Sequence, residues 1–268
     1  MIRHMGKCGG DYMKLKSVLI GCTLVLVVFF MSGFSTKAEA QNVIGKQPQI
    51  KQVAATTVKV AQVSSKPSVP VAEQVKKVAL TFDDGPDRKY TKKVLEILKD
   101  KGVHATFFVV GKQVKLYPDM LKEIAEEGHA IGNHSWDHKD FTKITNEQMK
   151  QQIAKTDQVI KDAIGTSTTW FRAPYGAKNK QVKDTITKSG NQEIGWTVDT
   201  RDWAGTSSKQ MLANVKKNLK PNGIILMHSF GGKGGKLDNT IEFLPQLIDY
   251  LQKENYTIVT IPELYAKE

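Results

Sequence analysis

The stretch ALTFDDGP, residues 79–86, is a strand-like apolar run that ends in two adjacent carboxylates, Asp83 and Asp84, and then a Gly-Pro break. Neighbouring side chains on a strand point to opposite faces, so two adjacent acids at its end can do different jobs beside one cavity.

Outward from this stretch, apolar runs recur at 105–110 (ATFFVV), 130–132, 169–171, 194–198, 224–227 (IILM) and 257–261 (TIVTI). Between them, helical periodicity predicts helices over 90–101, 118–128, 145–163, 178–189, 208–219 and 240–253. Thr145 with Gln148 three residues on, and Ser207 or Ser208, offer N-terminal caps. Strand–helix alternation of this kind predicts an α/β domain over 75–268, with a parallel sheet covered by helices. About seven such units favour a closed or nearly closed (β/α) barrel over an open doubly wound sheet.

The N-terminal residues read differently. Lys14 and Lys16 precede an unbroken apolar run from Val18 to Met31, and AEA at 38–40 fits a small-residue cleavage site, so 1–40 is expected to be a secretory signal peptide. If the codons of GGDYM, residues 9–13, hold a ribosome-binding sequence, Met13 is the start. A retained membrane anchor is the alternative, although the run is short for a span of about 20 residues. LIGC at 19–22 resembles a lipoprotein signal, but most of the apolar run follows that Cys. Residues 41–74 hold one acid, Glu73, and no aromatic residue, and are expected to form a disordered linker.

The only cysteines, Cys8 and Cys22, lie upstream of the expected cut. A disulfide framework and a thiolate metal site are therefore excluded for the mature chain, which suits an exported protein stabilised by its core. A formal net charge of +12 points to electrostatic association with an anionic cell wall or membrane surface, or to a merely solvated lysine-rich surface. Nucleic acid is not an expected partner outside the cell.

In a βα barrel, chemistry gathers at the C-terminal ends of the strands. Asp83 and Asp84, His134 and His138, the segment Arg172 to Tyr175, the segment Asp199 to Trp203, and His228 all follow apolar runs at that end. HSWDH at 134–138 places two imidazoles four residues apart. With a carboxylate such as Asp84 they would form a two-His, one-carboxylate face for a metal ion; otherwise they are loop histidines satisfied by hydrogen bonds. Asp83, facing the other way, suits a general base for water whose pKa an ion has lowered, or else a turn aspartate.

TFDDGP, HSWDH, RAPY, DTRDW and LMH stand in the order and approximate spacing of five motifs, and in them residues 76–265 resemble the NodB-homology polysaccharide deacetylases, the family 4 carbohydrate esterases. The resemblance implies a distorted (β/α) barrel and metal-dependent removal of acetyl groups from sugar polymers. It implies Asp83 as base, Asp84, His134 and His138 as ligands of a divalent ion such as Zn2+ or Co2+, and Arg172 paired to Asp83. It further implies the Tyr175 backbone N–H as an oxyanion donor and His228, tuned by Asp199, as the acid. Trp203 and Leu226 would wall the acetyl pocket. Amide hydrolysis independently asks for these parts, since its tetrahedral oxyanion needs stabilising and its poor amine leaving group needs a proton.

Other residues read as bland. His104 and His129 are expected to be structural, with His129 a candidate support for the metal loop; Phe107 and Phe108 are expected in the core. Trp136 and Trp170 are expected either to stack on sugar or to pack. GGKGGK at 231–236 lacks a phosphate-loop ending and is expected to form a flexible cleft rim. The expected function is exported, monomeric deacetylation of N-acetylglucosamine polymers, with cell-wall peptidoglycan as the leading substrate. The alternatives are a chitin-oligomer or acetylxylan deacetylase, or a catalytically silent wall-binding module.

Overall fold

Strand β1, Lys76–Asp83, is buried from Val78 to Asp83, as expected of a strand covered on both sides. The computed structural model describes residues 75–267 apart from Lys233, so the expected signal peptide and linker lie outside the described residues. β1 alternates cleanly. Val78, Leu80 and Phe82 enter the main hydrophobic cluster, together with residues of the surrounding helices. Ala79 joins a separate inner cluster with Phe108, Ile194, Ile224 and Ile261. By the pleat, Thr81 and Asp83 share the inward face with Ala79.

The remaining strands are β2 (Thr106–Val109), β3 (Ala130–Asn133), β4 (Trp170–Phe171), β5 (Gln192–Glu193), β6 (Val198–Asp199), β7 (Gly223–His228) and β8 (Tyr256–Val259). They form a curled parallel sheet in the order β5-β4-β3-β2-β1-β7-β6, with β8 also paired to β1. β7 runs along one edge of β1 from Val78 to Asp83. The other edge is shared, since β8 pairs Lys76–Ala79 and β2 pairs Thr81–Asp83. The result is the distorted (β/α) barrel expected from the sequence.

The α-helices among the described residues are α1 (Tyr90–Lys101), α2 (Gly111–Leu116), α3 (Pro118–Glu126), α4 (Asn146–Ile164), α5 (Lys180–Lys188), α6 (Ser208–Asn218), α7 (Asp238–Lys253) and α8 (Ile261–Tyr265). The six periodic helices are found within about two residues of their expected bounds. Short α2 and α8 carry too few turns to leave a periodic trace. Thr145 and Gln148 form a reciprocal capping box at the start of α4, and Gln210 reaches back to the Ser207 N–H ahead of α6. α7 is anchored by Phe243, Leu244, Leu247, Ile248 and Leu251, all buried at helical spacing. No helix among the described residues is long and apolar enough to cross a membrane.

One element departs from expectation. The apolar run 194–198 is not one strand: β5 ends at Glu193 and β6 begins at Val198, at opposite ends of the sheet. The linking residues span the seam of the barrel. Their carbonyls are taken by a side chain, since Arg172 Nε donates to Ile194 O at 3.1 Å and Nη2 to Gly195 O at 3.0 Å. A guanidinium thus replaces a strand partner, and the run splits.

Candidate active site

Asp83 ends β1 facing inward and is almost fully buried, at 3% exposure. Arg172 Nη1 donates to its Oδ1 at 2.7 Å and to Thr81 Oγ1 at 2.8 Å. With the two seam carbonyls, the fully buried guanidinium meets four acceptors and lies 4.1 Å from the Phe108 ring centroid. Burial lowers the Arg172 pKa, and the Asp83 charge and hydrogen bond oppose that shift. The expected Arg172–Asp83 contact is present, and the same side chain ties the seam to the site.

Asp83 and Asp84 do not face opposite ways, as the strand pleat predicts. Asp84 is not a strand residue: its backbone is left-handed, with φ of 75°. That turn brings its carboxylate back over the strand end, so both aspartates approach one imidazole. His134 Nε2 lies 3.6 Å from Asp83 Oδ2 and 3.5 Å from Asp84 Oδ1. His138 Nε2 lies 3.4 Å from the same Asp84 oxygen. Ser135, His138 and Tyr175 also have positive φ. Non-glycine residues in that region are strained, and such strain concentrates at functional sites.

The donor set fits a metal ion. One ligand atom from each of Asp84, His134 and His138 falls within 4.8 Å of the others. His134 Nδ1 is 2.7 Å from the Arg172 carbonyl, which can only accept, so Nδ1 carries the proton and Nε2 presents its lone pair. Burial first, and His134 next, hold the His138 imidazole below its ordinary pKa, the neutral state a ligand needs. Asp84 Oδ1 is buried with no hydrogen-bond donor. Converging lone pairs on a buried, donorless oxygen are what a cation relieves. Ligand distances of about 2.0–2.2 Å from one ion place the donors roughly 3.4 Å apart in tetrahedral geometry.

The loop between the histidines is held from outside the motif. Asn133 Oδ1 accepts the Ser135 N–H, and Ser135 Oγ accepts the His138 N–H. Gln152 Oε1, from α4, accepts the N–H groups of both Trp136 and Asp137. Asn133 and Gln152 were missed in the sequence because a lone amide in a strand or helix has no local signature.

His228 ends β7. Its Nδ1 lies 2.8 Å from Oδ1 of Asp202, which corrects the expectation that Asp199 tunes it. Asp199 Oδ1 instead accepts the Arg201 N–H. Arg201 is left-handed, with φ of 58°. It turns the chain so that the fully buried Asp202, not Asp199, reaches the imidazole. Burial alone would lower the His228 pKa. The hydrogen bond and charge of Asp202, joined by the charges of Asp83 and Asp84, overcome this and push it up to about 9.

A cleft of about 420 Å³ is lined by Asp83, Asp84, His134, His138, Tyr175, Asp199, Trp203, Leu226 and His228. The structure therefore brings every expected site residue except Arg172 to one surface, with Arg172 directly beneath. Trp196, Phe230 and Leu237 also line it and were not anticipated. Gly231, Gly232, Gly235 and Lys236 place the glycine-rich run on the rim. Tyr175 has left-handed φ of 59°, and its N–H meets no acceptor among the described residues. Trp203 is 59% exposed, so it stands as a rim platform more than a wall.

Trp136 and Trp170 do not line this cleft. A Cβ on Gly111 would come within 2.5 Å of the Trp136 ring, which marks close packing, and Trp170 packs with Tyr265. His129 sits at the start of β3, away from the metal loop it was expected to support. Its Nδ1 accepts the Ala105 N–H, and burial lowers its pKa to about 4.

With this geometry, comparison with known proteins is decisive. The family model for polysaccharide deacetylase matches residues 71–194. A Bacillus cereus peptidoglycan-N-acetylglucosamine deacetylase is 37% identical over 188 residues, covering 70% of this chain and 68% of that protein. The chain belongs to the polysaccharide deacetylase family. The resemblance read from the five motifs is borne out for both the family and its enzymatic class. A second relative, peptidoglycan-N-acetylglucosamine deacetylase PgdA of Listeria monocytogenes, is 41% identical over 206 residues; these cover 75% of this chain but only 41% of that protein. Among solved structures, the Bc1960 peptidoglycan N-acetylglucosamine deacetylase in complex with a hydroxamate superposes with a TM-score of 0.69 at 35% identity, covering 73% of this chain and 90% of that one.

Proposed function

We propose that this chain hydrolyses the N-acetyl groups of N-acetylglucosamine residues in cell-wall peptidoglycan, using a divalent ion, with Zn2+ the best candidate. One observation carries the reading: an inward carboxylate, Asp83, and a partly buried imidazole, His228, line a cleft that also holds the Asp84–His134–His138 donor set. An ion held by that set supplies Lewis acidity toward the acetyl carbonyl and toward water. Asp83, oriented by Arg172, takes the proton of the attacking water. The free Tyr175 N–H donates to the developing oxyanion. His228, kept protonated by Asp202, gives its proton to the departing nitrogen. Leu226 bounds the acetyl group and Trp203 offers a platform at the rim, while Asp199 shapes the turn and the cleft wall.

Two features favour an anionic polymer over neutral chitin oligomers or acetylxylan. Lys236 lines the cleft and Arg201 stands beside Trp203 on its rim, and neither forms an ion pair among the described residues. Residues 41–268, with 34 Lys and Arg against 25 Asp and Glu, keep a net charge of +9 that suits an anionic wall. We read 1–40 as the export signal, 41–74 as the spacer and 75–268 as a monomeric catalytic domain. N-terminal sequencing of the wall or medium fraction should then begin at Gln41.

The deciding experiment is acetate release from peptidoglycan, chitin oligomers and acetylxylan side by side, with and without chelator. Chelator-sensitive release that is fastest from peptidoglycan is expected. A silent wall-binding module would release none from any of the three.

A further inference from the structure

We propose that Thr240, in the first turn of α7, is a positioning residue for the Asp202–His228 pair, with its neighbour Asn239 fixing the turn that carries Asp202. The inference rests on the proposed role of His228 as the acid.

The Asp202 carboxylate is fully buried and saturated with donors. Oδ1 accepts from the Trp203 N–H at 2.9 Å and lies 2.8 Å from His228 Nδ1. Oδ2 accepts the His228 N–H at 2.8 Å and the Thr240 hydroxyl at 2.8 Å. Three of these donors belong to His228 or to the residue after Asp202, so they move with the pair. Thr240 alone comes from a separate element. That element is rigid, because α7 buries Phe243, Leu244, Leu247, Ile248 and Leu251 in the main cluster. Asn239 Nδ2 adds bonds to the carbonyls of Asp202 at 2.8 Å and Thr206 at 2.9 Å. Two consecutive side chains therefore clamp the 202–206 turn onto a helix fixed by the core.

A buried carboxylate that loses one donor keeps an unmet lone pair and gains freedom to turn. Here that turning weakens the bond holding the charged imidazole. The other charged or titratable groups facing His228 are Asp83 and Asp84 at the end of β1 and His138 on the metal loop. None of them contacts Thr240 directly among the described residues, so a change at Thr240 reports on Asp202.

The test follows the His228 imidazole by NMR in histidine-labelled full chain and does not depend on turnover. Thr240→Val, close in shape, should lower the His228 titration midpoint by about half a unit to one unit, the size the net contribution of one ordinary hydrogen bond supports. Thr240→Ser should restore the midpoint, and Thr240→Val should add nothing in an Asp202→Asn background. Thr240→Ala serves if Val is not accommodated. The same downward shift should appear in the alkaline limb of kcat/KM for acetate release. A His228 midpoint that is unchanged in both Val and Ala variants overturns the proposal. A shifted midpoint with an unchanged alkaline limb keeps the positioning role and rejects His228 as the acid.

Discussion

Asp83 and His228 occupy the same register position on the adjacent parallel strands β1 and β7. Neighbouring strands lie about 4.8 Å apart, and the pleat turns both residues to the same face. Backbone pairing thereby sets the proposed base and the proposed acid side by side at one cleft, where Arg172 and Asp202 fix their side chains.

This pairing separates two roles that kinetics can distinguish. Asp83→Asn should keep the metal yet lose roughly 10² to 10⁴ in rate, the range typical of a general base. His228→Ala should hurt an amide far more than an activated aryl acetate, whose leaving group needs no proton. The measurement is kcat/KM on both substrates with metal content checked. Equal losses for His228→Ala on the two would remove the acid assignment.

The raised His228 value sets a pH signature. Its pKa lies above the ordinary 6.5, at about 9, so the protonated form is the one the fold favours. The resulting stabilisation is complete below about pH 6.5 and is lost as pH rises through about 9. A cation on Asp84 opposes that residue's share and draws the midpoint down. Asp202→Asn should flatten the pH dependence of the urea midpoint across this window and move the alkaline limb of activity to lower pH. An alkaline limb that stays in place would show that another group sets it.

Arg172 joins a buried charge to the barrel seam. Arg172→Ala leaves Asp83 without its cation and two seam carbonyls without donors. A broken buried pair costs about 3–5 kcal/mol, and chemical denaturation measures it. Arg172→Lys keeps a charge but not the fork that meets four acceptors, so it should recover only part of the stability and little activity. Full stability in the Lys variant would mean that the seam does not depend on the fork.

The metal donors make a compositional prediction. His134→Ala should abolish both metal content, measured by elemental analysis, and acetate release. Gln152→Leu, which removes the acceptor for two loop N–H groups, should weaken metal affinity by roughly the 10- to 100-fold typical of outer-shell support. A His134→Ala protein with stoichiometric metal and a normal rate would show that the ligands lie elsewhere.

By itself the sequence determined the alternation of strands and helices, the cap at Thr145 and one at Ser207 or Ser208, and the clustering of DD, HSWDH, RAPY, DTRDW and LMH at strand ends. Those features are local, because strand period, helix period and turn chemistry are written within a few residues. Tertiary structure decided three things that have no local trace. Asp202 was chosen over Asp199 by a left-handed turn at Arg201 and by the arrival of Thr240 from 38 residues away. Asp83 and Asp84 were brought to one imidazole, not to opposite faces, through the left-handed turn at Asp84. The run at 194–198 was divided because Arg172, brought in by β4, takes the carbonyls that a continuous strand would have used. In each case the deciding partner is distant in sequence or the deciding backbone state is strained, and only the packed core holds such partners and states in place.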